Sequence, residues 1–158
     1  MNLNIYHIAL VGHIVGITMM AGTTFVDFIA FKQSGKVFAS DKTKSPAMED
    51  MLSGLQKIIG IGMLLILISG ILMMVYMHQV WGEQTWFRVK MGILLLIIIN
   101  GIIRRRMGTG WKKLLAGTPS DPGFDTKLSR MKSNITTVQV LQLLFFLVIF
   151  TLSVFKFN

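Results

Sequence analysis

Apolar residues along this chain come in long runs rather than at the alternating spacing of a strand or the narrow stripe of a surface helix. The first run extends from Leu3 to Phe31 and is followed by a polar stretch from Lys32 to about Pro46. A second covers Ile58 to His78, a third Trp86 to Ile103, and a fourth Ile135 to Phe155. Roughly 18 or more apolar residues in a helix cross the hydrocarbon core of a bilayer. The pattern therefore predicts an all-α integral membrane four-helix bundle, one transmembrane domain over 1–158 with spans at about 3–31, 58–78, 86–103 and 135–155. Ser45-Pro46 reads as an N-cap followed by proline at the first helical position, with Glu49 and Asp50 in the first turn. The link from Gln79 to Thr85 is short, which predicts that spans two and three pack antiparallel. Gly108 and Gly110 predict the end of the third helix, with Trp111 to Leu115 as a short interfacial turn. Two prolines between Thr118 and Gly123 predict a loop, and a helix restarts near Asp121–Asp125.

Composition narrows the class further. The 158 residues are 53% hydrophobic and include no cysteine. Disulfides, thiolate metal sites and thiol catalysis are excluded. The formal charge of +9 would suggest nucleic acid on a soluble protein, but here the cations lie between apolar runs. Lys32, Lys36, Lys42, Lys44, Lys57, Arg104, Arg105, Arg106, Lys112, Lys113, Lys127, Arg130 and Lys132 all fall in or beside the two longer loops, against Arg88, Lys90 and Lys156 on the other side. The positive-inside rule then predicts cytoplasmic loops and an N-out/C-out topology. Membrane lipid is an expected partner and nucleic acid is not. The first lysine is Lys32, so the first span is expected to stay as a helix rather than to be cleaved as a signal.

Ionisable residues inside spans are costly and mark candidate function. His13 and Asp27 interrupt the first run, and His7 sits about 9 Å nearer its outer end at 1.5 Å per residue. Ala9, Gly12 and Gly16 share a helix side with His13. That small-residue side suits either a neighbouring helix or a flat cofactor ligated by the imidazole. His78, Arg88 and Lys90 are expected in the outer layer with His7. Ser69, Gly70 and Asn100 are expected near the depth of His13. Gln139 and Gln142 are expected nearer the cytoplasmic side, where they would join helices. Asp27 reads either as a solvated helix end or as part of a proton relay.

His13 followed by an apolar run to Ala21-Gly22, Ser69-Gly70-Ile71-Leu72, and Trp86-Phe87-Arg88-Val89-Lys90-Met91 resemble motifs of the first three helices of the bacterial membrane protoporphyrinogen oxidases. In wider outline these are similar to the copper-resistance-D-like membrane proteins. The resemblance implies haem b held by His13, a functional role for Lys90 and a multi-pass place in a bacterial-type cytoplasmic membrane. It also departs from this chain: the family's third-helix histidine is missing, with Asn100 nearby, and Asp27 stands near a point where the family carries arginine. The iron is then five-coordinate, or His7 or His78 is a ligand, or the activity is lost.

The expected function is haem-b binding with a redox role on a porphyrin-like or small reductant. His13, His7 and His78 are the candidate metal ligands. Arg88, Lys90, Asn100 and Gly16 are the candidate cofactor contacts, and Lys90 and Asp27 the candidate catalytic residues. One alternative is a non-enzymatic copper-handling or structural subunit, because Met73, Met74, Met77 and His78 cluster beside Met19-Met20 and thioethers suit Cu(I). Another is a five-coordinate haem that binds a gas. The small-residue faces also suit a homo-oligomer.

Overall fold

The computed structural model describes residues 3–40, 45–81, 84–115 and 123–155. Four helices account for them: α1 (Leu3–Ser40), α2 (Ser45–Trp81), α3 (Thr85–Leu115) and α4 (Phe124–Phe155). Each is long and apolar enough to cross a membrane. Even α3, with 31 residues, is about 46 Å long at 1.5 Å per residue, well beyond a hydrocarbon core of about 30 Å. The helix ends therefore project past the apolar slab, and the charged segments travel on them.

The helices run further than the apolar runs. The polar stretch after Phe31 does not leave the helix: α1 continues to Ser40, with the Ser34 hydroxyl donating to the Phe31 carbonyl. Gly108 and Gly110 do not stop α3 either. Glycine weakens a helix interior by only about 1 kcal/mol, and packing at the end of α3 outweighs that. Trp111 is buried, with its ring edge-on to Phe31 at 5.3 Å between centroids. The absent side chains also make room, because a Cβ at Gly108 would lie 3.2 Å from Arg104 Nη1 and one at Gly110 3.3 Å from Met131 Cε. The expected interfacial turn at Trp111 is thus the last, buried turn of a spanning helix. The helical restart falls at Phe124, after Gly123 with φ +92°. The 116–122 connection, including the expected loop start at Thr118, lies outside the described residues.

The two cores each draw on all four helices. One is built on Phe31, Leu52, Trp111 and Ile135, and the other on Met20, Ile66, Ile97 and Phe146. Outside them the bundle is apolar: Ile8, Val11, Ile71, Leu95, Leu147 and Val154 are among many large exposed hydrophobic residues. In water so much contiguous apolar surface would drive association. Against lipid it is the expected outer face.

The closest helix contact is between α1 and α2. A Cβ at Gly16 would lie 2.9 Å from Ile66 Cγ1 and 3.0 Å from the Gly62 carbonyl oxygen, and one at Gly62 would lie 2.9 Å from the Met20 amide nitrogen. Small residues let two backbones meet where lipid offers no hydrophobic drive toward association. The side of α1 carrying Gly12 and Gly16 is therefore filled by α2. Gly16 is a packing residue, not the floor of a cofactor groove. By contrast, α2 and α3 pack least closely of the neighbouring helices.

Gly62→Val is expected to lower stability by about 1–3 kcal/mol, the range for overpacking a close contact. Gly92→Ala, where nothing lies within 4 Å of an added Cβ, is expected to change it by less than about 1 kcal/mol. Unfolding in mixed micelles with increasing dodecyl sulfate, followed by circular dichroism, compares the two. Equal midpoints would contradict the backbone-to-backbone contact.

Candidate functional site

His13 is the chemical centre of the half of the bundle beyond the Met20 core. The Ser69 hydroxyl donates its single hydrogen to the Leu65 carbonyl one turn back on α2. It can then only accept from the imidazole, whose Nδ1 lies 2.9 Å away. When Nδ1 is the donor in that bond, Nε2 of the neutral ring keeps the lone pair. Anchoring one ring nitrogen through a second residue is how proteins orient a metal-ligating histidine. The Ser69 bond also holds the ring beside Gly70, where a Cβ would meet His13 Cε1 at 3.7 Å.

The ring lines a cavity of about 390 Å³ that reaches all four helices. On α1 the cavity follows His13, Ile17 and Met20, not the glycine side. Its walls are apolar and rich in sulfur and aromatic rings, with Met73 and Met74 from α2, Met91 from α3 and Phe150 from α4. Lys90 lines the same cavity. The arrangement can hold a flat or elongated apolar molecule, present one imidazole nitrogen to it and place one cation at its edge.

The other candidate residues go elsewhere. Arg88 is exposed and does not line the cavity. His7 is exposed with its ring edge-on to Tyr6, so it does not join His13. His78 belongs to α2, but its side chain, like that of Met77, lies outside the described residues. Asn100 does not face the cavity: its amide donates to the Val138 carbonyl at 2.9 Å and to Gln142 Oε1 at 2.6 Å. It ties α3 to α4, and Gln142 has the helix-joining role expected of it.

Asp27 is neither a solvated helix end nor a neighbour of His13. It is 1% exposed and accepts from Arg104 Nη2 at 3.1 and 3.3 Å and from Gln139 Nε2 at 2.7 Å. Arg104 is itself 7% exposed, with its guanidinium 5.4 Å from the centre of the Phe31 ring. The sequence does not single out this pair, because Arg104 opens a run of three arginines that reads as a topology signal. The available clue was depth: Asp27 and Gln139 both fall toward the side where that arginine run begins.

No family model matches the chain, and no curated protein or solved structure matches it. Among the described residues no group of three or more His, Cys, Asp or Glu side chains is placed to hold a metal ion. Chemistry at His13 therefore rests on one imidazole, its serine anchor and the thioethers around it.

Removing one partner of a buried ion pair costs about 3–5 kcal/mol, whereas replacing both by apolar groups costs far less. Asp27→Leu and Arg104→Met are each expected to fall in that range. The double variant is expected to lose less than either single, with a remainder from the orphaned Gln139 amide. A double-mutant cycle on unfolding midpoints measures this, and additive losses would contradict the pair.

Proposed function

We propose that this chain is a haem-b-binding protein with a redox role in a bacterial-type cytoplasmic membrane. The observation that carries this reading is the His13 imidazole, hydrogen-bonded at Nδ1 to Ser69 and lining a cavity that Lys90 also lines. The motifs around His13, Ser69-Gly70 and Lys90 that resemble the membrane protoporphyrinogen oxidases support it independently. On this reading the bundle is antiparallel and N-out/C-out. Residue order supports the antiparallel part: from the Met20 core to the Phe31 core, numbering rises along α1 and α3 and falls along α2 and α4. The distribution of lysine and arginine supports the orientation.

The residues present fit a haem. Haem iron accepts a single imidazole as an axial ligand, and the apolar walls satisfy the need for burial. Among the described residues His13 is the one histidine that lines the cavity, so it would be the imidazole that holds the group, with the thioethers of Met73, Met74 and Met91 lining the same cavity. A haem bound there would supply one-electron transfer. His13 binds the group and Ser69 fixes the ring's tautomer and direction. Lys90 places a cation where an acidic edge of cofactor or substrate pairs with it. Met73, Met74 and the aromatic walls exclude water. The substrate class, a porphyrin-like or small reductant, comes from the resemblance.

Copper handling is the second reading, favoured by one specific observation. Met20, Met73, Met74 and Met91 line the same cavity as His13, and thioethers with an imidazole suit Cu(I).

Optical spectra of the purified protein in detergent, oxidised and reduced, test both. The wild type is expected to show a Soret band that His13→Ala abolishes. Ser69→Ala is expected to keep the band while weakening haem affinity about 10–100-fold, as loss of an orienting partner does. Reduced bands of five-coordinate iron would favour the gas-binding form of the reading over the redox form. A wild-type preparation that stays colourless with added haem but binds Cu(I) would replace haem with copper.

A further inference from the structure

The second cavity lies at the opposite end of the same gap between α2 and α3. It has a volume of about 310 Å³ and is separate from the His13 cavity. Phe31, Leu52 and Trp111 form its apolar floor, and Lys57, Arg105 and Lys112 stand around it with Glu49 as the one carboxylate in its described lining. Arg104 also lines it, but its charge is already matched by Asp27.

Two hydrogen-bond donors on side chains that line this recess are left over. Arg104 Nε and Gln56 Nε2 are buried and have no protein partner. The arginine is more than nine-tenths buried, and its Nη2 is committed to Asp27. A buried donor without an acceptor costs about 1–3 kcal/mol, more when it is charged. Two such donors beside three further cations make a site short of negative charge and of acceptor oxygens. A group with several anionic oxygens supplies both.

From this we propose that the recess holds a phosphate-class anion. Arg104 Nε and Gln56 Nε2 donate to its oxygens from the floor, and Lys57, Arg105 and Lys112 neutralise its charge from the rim. The chemistry is shared by the headgroup of an anionic phospholipid and by a soluble phosphate compound. The apolar floor at the level where the helices leave the hydrocarbon suits a headgroup with the first carbons of its lipid. The proposal does not depend on haem.

The test uses the full chain in nanodiscs. The triple variant Lys57→Gln, Arg105→Gln, Lys112→Gln is compared with Arg106→Gln, Lys127→Gln, Arg130→Gln, which removes the same charge from exposed positions outside the recess. Probes are phosphatidylglycerol against phosphatidylcholine by native mass spectrometry, and inorganic phosphate by calorimetry in phosphatidylcholine discs. The wild type and the second triple are expected to prefer phosphatidylglycerol at least tenfold, and the recess triple is expected to lose that preference. Phosphate binding that depends on the recess cations, without a lipid preference, would assign the site to a soluble phosphate. Gln56→Leu leaves the charge untouched and serves if the triple does not fold. It is expected to weaken binding severalfold while leaving the melting temperature unchanged or higher. Equal losses in both triples, unaltered binding in Gln56→Leu, or no binding of either probe by the wild type would overturn the proposal.

Discussion

The pairing of Asp27 with Arg104 is the constraint around which the bundle is arranged. A carboxylate and a guanidinium are each costly to bury, and only their mutual contact with added hydrogen bonds makes burial tolerable. Asp27 is on α1, Arg104 on α3 and Gln139 on α4, so satisfying the pair fixes the rotation and height of three helices at once. Asn100 and Gln142 extend the polar layer by one turn. Along α1, α3 and α4 this layer falls between the Met20 core and the Phe31 core. A polar layer between two apolar ones also fixes register. Sliding any of the three helices by one turn would bury an unpaired charge.

The fourth helix is held differently. Among the described residues helix α2 contributes no side chain to the Asp27 network, and it is held to α1 through the Gly16–Gly62 contact, where backbone meets backbone. Committed to α1, it stands away from α3. The gap between α2 and α3 is where both cavities lie, one beside His13 and one beside Trp111. Each end of the gap has its own chemistry. The His13 end is apolar and soft, with one imidazole nitrogen and one cation. The Trp111 end is basic, with leftover donors. The polar layer separates them, so a ligand at one end does not touch the other.

The helical class, the four apolar spans, the clustering of the basic residues between them and the singularity of His13 were legible from the chain alone, because each is a local property. Run length sets whether a helix can span, and one ionisable group in such a run is conspicuous wherever the helix packs. Depth arithmetic also brought Ser69 near His13, since rise per residue is the same in every helix. Helix rotation was not legible. Asn100 shared a depth with His13 but faces α4, and Gly16 faces α2 instead of a cofactor. Nothing in the apolar runs, which are hydrophobic all round, marks which side faces inward.

The sequence by itself determined that four apolar helices form, which residues carry charge or a lone pair, and roughly how deep each one lies. Those follow from covalent geometry and from transfer of side chains between water and lipid. Only the tertiary structure decided that Arg104 turns inward to Asp27 while Arg105 and Arg106 stay exposed, that Gly108 and Gly110 are crossed by a continuous helix, and that α2 parts from α3 to leave two cavities. These depend on contacts between residues far apart in the chain, where pairing of buried charges and close packing outweigh every local preference.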